Sequence, residues 1–249
     1  MNITGHTVFI PGATSGIGLG LALRLRAVGN TVIVGGRRTA LLDQLTREHP
    51  GLHSVVIDTT DPVSIAAAYE EVTSAYPQLD VLITMAGIMH PENLRDPAFL
   101  EVAERTINTN LLGPIRLVAA FEPFLERQPN ATIVTVSSGL ASVPLPATPT
   151  YSATKAAIHS FSESLRVQLA GTSIQVIELV PPAVATALMG QQENPHAMPL
   201  DEFLDEIMAL LETQPDAHEI LVENVKFLRH AEANGRYAEV LDALAGRAS

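Results

Sequence analysis

The sequence predicts an α/β fold, a doubly wound parallel sheet of six to seven strands with helices on both faces. Three observations predict it. Short runs that are apolar throughout recur along the chain, as in Thr7-Val8-Phe9-Ile10 and Val81-Leu82-Ile83, and strands buried on both faces read this way. Stretches of helical spacing separate these runs, which is the alternation that parallel strands need for their crossovers. A glycine-rich turn, Gly12-Ala13-Thr14-Ser15-Gly16-Ile17-Gly18, joins the first run to the first helix.

Each element has its own signal. The first strand, Thr7 to Ile10, stops at Pro11-Gly12, and Leu19 to Val28 is a helix that ends at Gly29-Asn30. The β-branched run Thr31 to Val34 is the second strand, closed by Gly35-Gly36. Thr39 is expected to cap a helix over Ala40 to Glu48, which Pro50-Gly51 terminates. Leu52 to Ile57 is the third strand. Asp61-Pro62 opens a helix with proline at its first position, running toward Tyr76. Val81 to Thr84 is the fourth strand. One long helix is expected over Pro97 to Leu125, bent near Gly113-Pro114. Thr132 to Val136 is the fifth strand, Thr150 to Leu169 a helix, and Ile174 to Leu179 the sixth strand, cut by Pro181-Pro182. Leu200 to Glu212 reads as a helix and Glu219 to Val222 as a last strand, with helix over Ala231 to Ala245 broken near Gly235.

The 249 residues carry no Ser- or Gly-rich linker and no internal repeat, so one domain over 1–249 is expected, with 190–213 as a substrate lid. Asp+Glu 27 against Lys+Arg 15 gives a formal net charge of −12, which disfavours nucleic acid as partner. Absence of cysteine excludes a disulfide framework, a thiolate metal site and a cysteine nucleophile. The N-terminus lacks the basic start and cleavage site of a signal peptide, and no apolar run reaches membrane-spanning length. A cytoplasmic protein is the default. No His/Asp/Glu group has metal-ligand spacing, so no metal is expected.

The glycine turn suits a dinucleotide. Glycines permit positive φ and let a ligand approach the backbone at Gly12, Gly16 and Gly18. The helix start at Thr14, Ser15, Gly16, Ile17 and Gly18 offers N–H groups and a positive dipole end to a pyrophosphate. The spacing G-x-x-x-G-x-G differs from the G-x-G-x-x-G fingerprint. At the end of the second strand NAD enzymes place a carboxylate on the ribose; here Gly36 is followed by Arg37 and Arg38. A guanidinium suits a 2′-phosphate, which points to NADP(H), while two solvated arginines opening a helix are the plain alternative. Asp58 is assigned to the adenine amino group and Asp61 to capping the next helix.

Tyr151 and Lys155 stand four apart, on one face of their helix. An ammonium beside a phenol favours the phenolate and makes tyrosine a usable acid, so Tyr151 is expected below its ordinary value. Taken alone, such a pair is commonly just a helix surface.

The glycine turn, Asp58, Asn110, Ser138 and the Tyr151/Lys155 pair, in this order and with 13 residues from Ser138 to Tyr151, resemble the short-chain dehydrogenase/reductase family over roughly Ile3 to Met189. The segments YSATKAAIHS and IELVPPAVATALM are similar to a bacterial subgroup of general oxidoreductases named for the D-alanyl-lipoteichoic acid operon. The resemblance implies a single-domain Rossmann-type fold and a proton donor at Tyr151. It implies that Lys155 lowers the Tyr151 pKa and holds the nicotinamide ribose, and that Ser138 binds the substrate oxygen. Asn110 would hold a water at a helix irregularity, with Asn108 as the competing residue. Ala86 and Gly87 would lie beside the cofactor, and Pro181, Val184 and Thr186 would fix the nicotinamide. Thr84-Met85 replaces the usual pair of asparagines, Pro182 the usual glycine, and Pro11 the usual threonine; none of these touches the catalytic set.

Substrate contacts are expected from Ile88 to Leu94, from Gly139 to Thr150 with its three prolines, and from Pro182 to Pro199. These loops suggest a largely apolar ketone or aldehyde, or the matching alcohol. A homodimer or homotetramer is implied through the helices of Pro97–Leu125 and Thr150–Leu169. His90 is a possible second acid/base group or a surface residue. The alternative function is an NADP-binding regulator with little turnover; a reductase of carrier-tethered acyl groups would want a basic docking patch.

Overall fold

The computed structural model describes residues 3–246. Its sheet has seven strands in the order β3-β2-β1-β4-β5-β6-β7, every pair parallel. They are β1 Thr7–Pro11, β2 Thr31–Gly36, β3 Leu52–Val56, β4 Val81–Ile83, β5 Ala131–Val136, β6 Ile174–Leu179 and β7 Glu219–Ile220. The helices are α1 Gly16–Ala27, α2 Thr39–Glu48, α3 Pro62–Ala75, α4 Phe99–Ile107, α5 Gly113–Leu125, α6 Pro149–Gln168, α7 Leu200–Thr213, α8 Lys226–Arg229 and α9 Tyr237–Leu244.

Alternation along each strand divides the core. Val8 and Ile10 pack with Leu21, Leu25, Phe203 and Ile207 of α1 and α7 on one face. Phe9 and Ile33 pack with Ile65, Val72 and Phe121 of α3 and α5 on the other. The order of strands reverses between β1 and β4, and the crevice at that point is where open α/β sheets bind ligands.

Four sequence expectations change. Thr39 does not cap α2: Arg38 is the N-cap and no side chain bonds there, whereas Asp61 does cap α3 by accepting from Val63 N–H. The long helix is two helices joined by a π-helical turn over Asn108–Leu112, just upstream of the expected bend. Pro114 brings no N–H, so the carbonyl four residues before it, that of Asn110, loses its α-helical donor and the turn widens there. The expected helix over Ala231–Ala245 is shorter, α9 alone, preceded by turns and by α8. The expected lid over 190–213 narrows, because from Leu200 onward it is α7, whose Phe203, Leu204 and Ile207 are fully buried.

Candidate active site

The loops leaving β1, β4, β5 and β6 enclose a cavity of about 900 Å³. One wall is the glycine turn. Gly12 takes φ +92°, and a Cβ there would lie 2.4 Å from the Ala86 Cα, so both conformation and contact demand glycine. Gly16 also takes positive φ, at +54°. Gly18 does not; a Cβ there would strike Ala13 Cα and Met85 Cγ at 2.9 Å, so it serves close packing of helix on strand. The first turn of α1 has an extended Ser15 as N-cap with no side-chain bond to it. Its leading N–H groups have no partner within the helix, and Ser15, Gly16, Ile17 and Gly18 all line the cavity. That is a cradle fitted to a pyrophosphate.

Ser138, Tyr151 and Lys155 open into the same cavity as this turn. All three are nearly buried, at 6%, 8% and 6% exposure. The Ser138 hydroxyl accepts from Leu140 N–H at 3.2 Å. The Lys155 ammonium donates to the Val136 carbonyl at 2.8 Å and lies 5.6 Å from the centre of the Tyr151 ring. Burial pushes Tyr151 up to about 12, against the hydrogen bond with Ser138. Burial also pulls Lys155 down to about 8, against the charge of Glu178. The sequence expectation that Tyr151 lies below its ordinary value is therefore reversed in this structure, because loss of solvent outweighs what Ser138 contributes. The phenol is held as a neutral donor throughout the neutral range.

Asn110 is fully buried in the π-helical turn. Its Nδ2 donates to the Ile88 carbonyl at 2.7 Å and its Oδ1 accepts from Ile88 N–H at 2.8 Å. Both side-chain ends thus brace the loop after β4, and any relay role would pass to its main-chain carbonyl. Asn108 instead accepts from Arg116 at 2.7 Å. Gly87 leaves a gap beside this pair: a Cβ there would have only Asn110 Oδ1 at 3.6 Å and Lys155 Nζ at 3.9 Å nearby.

The remaining candidates divide. Gly87, Pro181, Val184 and Thr186 line the cavity. Thr14, Arg37, Arg38, Asp58 and Ala86 lie beyond that lining. Arg38 donates to the Thr14 hydroxyl at 3.4 Å, at the end of β2. A Cβ on Gly36 would meet Thr14 Cγ2 at 2.5 Å, so an acidic side chain has no room there. Asp58 sits opposite Arg37 at 3.9 Å. Burial opposes it, yet hydrogen bonds from Thr60 and the charge of Arg37 hold the Asp58 carboxyl below its ordinary value.

The Pro181 carbonyl accepts from Gly139 N–H at 2.9 Å, tying the loop after β6 to the Ser138 turn. Ala185 N–H donates to Met198 O and Met198 N–H to Ala183 O, each at 2.9 Å, so both ends of the 185–198 excursion are pinned together. Sequence reasoning missed one whole wall. Glu223, Asn224, Phe227, Leu228 and Leu244 line the cavity, and a Cβ on Gly139 would meet Leu228 and Val225 at 2.7 and 2.8 Å. The only signal was the apolar spacing Val222, Val225, Leu228, too short to read as an element. His90 is absent from the lining, where Met89 appears.

One cluster joins distant segments: ligand-type atoms of His159, Glu178 and Glu219 lie within 4.8 Å of one another. They come from α6, β6 and β7, which sequence spacing could not bring together. Arg229 already forks onto Glu219 at 2.8 and 3.1 Å, so the group is an ion-paired network.

The family model described as short chain dehydrogenase matches residues 6–197. The chain is 44% identical over 191 residues to the uncharacterized oxidoreductase DltE of Bacillus subtilis (strain 168), covering 76% of this chain and 75% of that one. A short chain dehydrogenase from Burkholderia cenocepacia J2315, solved in complex with NADP, superposes with a TM-score of 0.82 at 27% identity, covering 98% of each chain. A 3-ketoacyl-(acyl-carrier-protein) reductase from Brucella melitensis, complexed with NADH, superposes at 0.77 with 26% identity, over 86% of this chain and 93% of that one.

Proposed function

Because this chain belongs to the short-chain dehydrogenase/reductase family, we propose that it is an NADP(H)-dependent oxidoreductase acting on a largely apolar ketone or aldehyde, or on the matching alcohol. One observation carries the proposal: Ser138, Tyr151 and Lys155 share a cavity with the glycine turn that fits a pyrophosphate. A bound nicotinamide supplies the hydride. The chain's own residues do the rest. Tyr151 gives its hydroxyl proton to the carbonyl oxygen as the carbon is reduced. Ser138 donates a hydrogen bond to that oxygen and stabilises charge as it develops. The Lys155 ammonium stabilises the phenolate left behind and holds the ribose hydroxyls. Val184 and Thr186 would hold the nicotinamide carboxamide, with Pro181 and Gly87 on the same cavity wall and Ala86 behind Gly12.

Arg37 and Arg38 at the end of β2, with no room for an acid at Gly36, support NADP(H) over NAD(H). The apolar substrate class is supported by Met89, Leu140, Leu145, Leu188, Phe227 and Leu228 on the cavity wall. Cytoplasmic residence and assembly as a homodimer or homotetramer belong to the same proposal. The assembly is supported by Leu100, Ile107, Leu112 and Val167, exposed on the helical segments from α4 to α6.

The test is a panel of uncharged and anionic ketones and aldehydes, followed by loss of nicotinamide absorbance with NADPH and with NADH. Turnover of uncharged apolar carbonyls, with NADPH favoured in kcat/KM, is expected. A preference for NADH overturns the cofactor assignment, and a preference for polyanionic substrates overturns the substrate class. A NADP-binding regulator would show cofactor binding with no turnover of any of them.

A further inference from the structure

β6 carries an acid where its pattern calls for an apolar residue. Ile174 and Val176 face the core layer that holds α6 residues Phe161, Leu165 and Leu169, while Ile177 and Leu179 face the opposite layer. The next position on the α6 side is Glu178, which is 1% exposed. Burying a carboxylate is costly unless charge and hydrogen bonds compensate it. Two elements supply them. From α6, His159 Nδ1 lies 2.9 and 3.1 Å from the two Glu178 oxygens. From α8, Arg229 adds positive charge, forked onto Glu219 of β7, whose carboxyl lies 3.7 Å from the same nitrogen. Glu163, one turn further along α6, also acts on Arg229. Tyr151, Lys155 and His159 form one stripe along α6 at intervals of four. Glu178 faces that stripe behind the catalytic pair, away from the cavity.

We propose that Glu178, clamped by His159 on the face of β6 that backs α6, is a positioning residue for Lys155, placed to hold a compensating charge behind its ammonium. Near Lys155 stand the Tyr151 phenol on its own helix, the Val136 carbonyl of β5 that takes its ammonium, and Glu178 of β6, paired in register with Thr135, the residue before Val136. Only the last is a carboxyl group. Burial strips Lys155 of solvent, and the charge of Glu178 is what opposes the resulting fall. The proposal deepens the reductase reading and rests on it for what the ammonium does.

The chain has only two lysines, Lys155 and Lys226. Carbon-13 labelling at lysine Cε therefore gives two NMR signals, and Lys226, exposed beside Glu223, is an internal control. Titrating the full chain without added cofactor reads Lys155 directly. In Glu178→Gln the Lys155 midpoint falls by about half to one pH unit, Lys226 stays, and the alkaline limb of kcat/KM moves by the same amount. Glu219→Gln, which breaks the Arg229 fork but keeps the Glu178 carboxyl, moves the Lys155 midpoint less than Glu178→Gln does. An unmoved midpoint in Glu178→Gln, or an equal fall in Glu219→Gln, overturns the proposal. If Glu178→Gln does not fold, Glu178→Asp retracts the charge and produces a smaller fall; an unmoved midpoint there overturns it equally. Because the NMR readout needs no turnover, failure of the reductase reading leaves this result standing, and failure here leaves turnover intact.

Discussion

Tyr151 and Lys155 carry opposite consequences of the same burial. With Tyr151 pushed up to about 12 and Lys155 down to about 8, the proton donor stays loaded while its supporting charge is lost first. Carbonyl reduction should hold steady below pH 8 and fall above it with the loss of one proton, as a pH profile of kcat/KM will show. The same shift has a stability sign. Lys155 binds its proton less well folded than unfolded, so the unfolded chain holds more protons between the two values and stability rises with pH through that window. At neutral pH the buried ammonium costs on the order of 3 kcal/mol, less what its bond to Val136 returns. Lys155→Met should therefore abolish turnover yet raise unfolding stability at pH 7 by about 1–2 kcal/mol, measured by urea denaturation. Arg38 makes a second residue-scale prediction. Removing a guanidinium from a phosphate costs about 1.5–3 kcal/mol. Arg38→Ala should lower kcat/KM with NADPH roughly 10- to 100-fold and leave NADH within a factor of about two. The residues behind both predictions were legible in the sequence, since Tyr151, Lys155 and Arg38 sit on or beside strong strand and helix signals. Glu178 was not. In a run as apolar as Ile174 to Leu179, nothing marks which side of the sheet the acid faces until the register is known.

At the scale of elements, the turns do most to shape the cavity. The widened turn at Asn108–Leu112 buries Asn110 against Ile88, and its cause, Pro114 four residues on, could be read from the sequence even though the bend was expected slightly downstream. The C-terminal wall could not be read. A two-residue β7 and a four-residue α8 are too short for any hydrophobic period to register, and only tertiary contact defines them. That wall meets the Ser138 turn at Gly139, where added bulk has nowhere to go. Gly139→Ala should push Leu228 and Val225 aside, cost about 1–3 kcal/mol of stability, and change KM for bulky ketones more than kcat. Thermal unfolding together with steady-state kinetics on a graded ketone series checks both halves. A neutral effect on both would mean that α8 is loosely held.

For the molecule as a whole, strand order explains why the site lies where it does. The reversal between β1 and β4 opens one crevice. Into it the topology delivers the glycine turn from β1, Gly87 from β4, Ser138 from β5, Tyr151 and Lys155 from α6, and the Pro181–Thr186 loop from β6. The parallel sheet and its first six strands were legible because the strands are mostly apolar and glycine or proline lies near their ends. The place of α7 was not legible, since it has the amphipathic pattern of any surface helix and its burial against α1 depends on the closed fold. Among the described residues no helix is long and apolar enough to cross a membrane. What unites these levels in the proposed function is a single proton transfer from Tyr151, and Tyr151→Phe tests that proposal most directly, because it removes one oxygen and leaves the packing. With NADPH affinity measured by fluorescence titration and reduction by single turnover, the variant should bind cofactor within about threefold of the parent and reduce ketones roughly 100- to 10,000-fold more slowly. Reduction within tenfold of the parent, at unchanged cofactor affinity, would contradict the account.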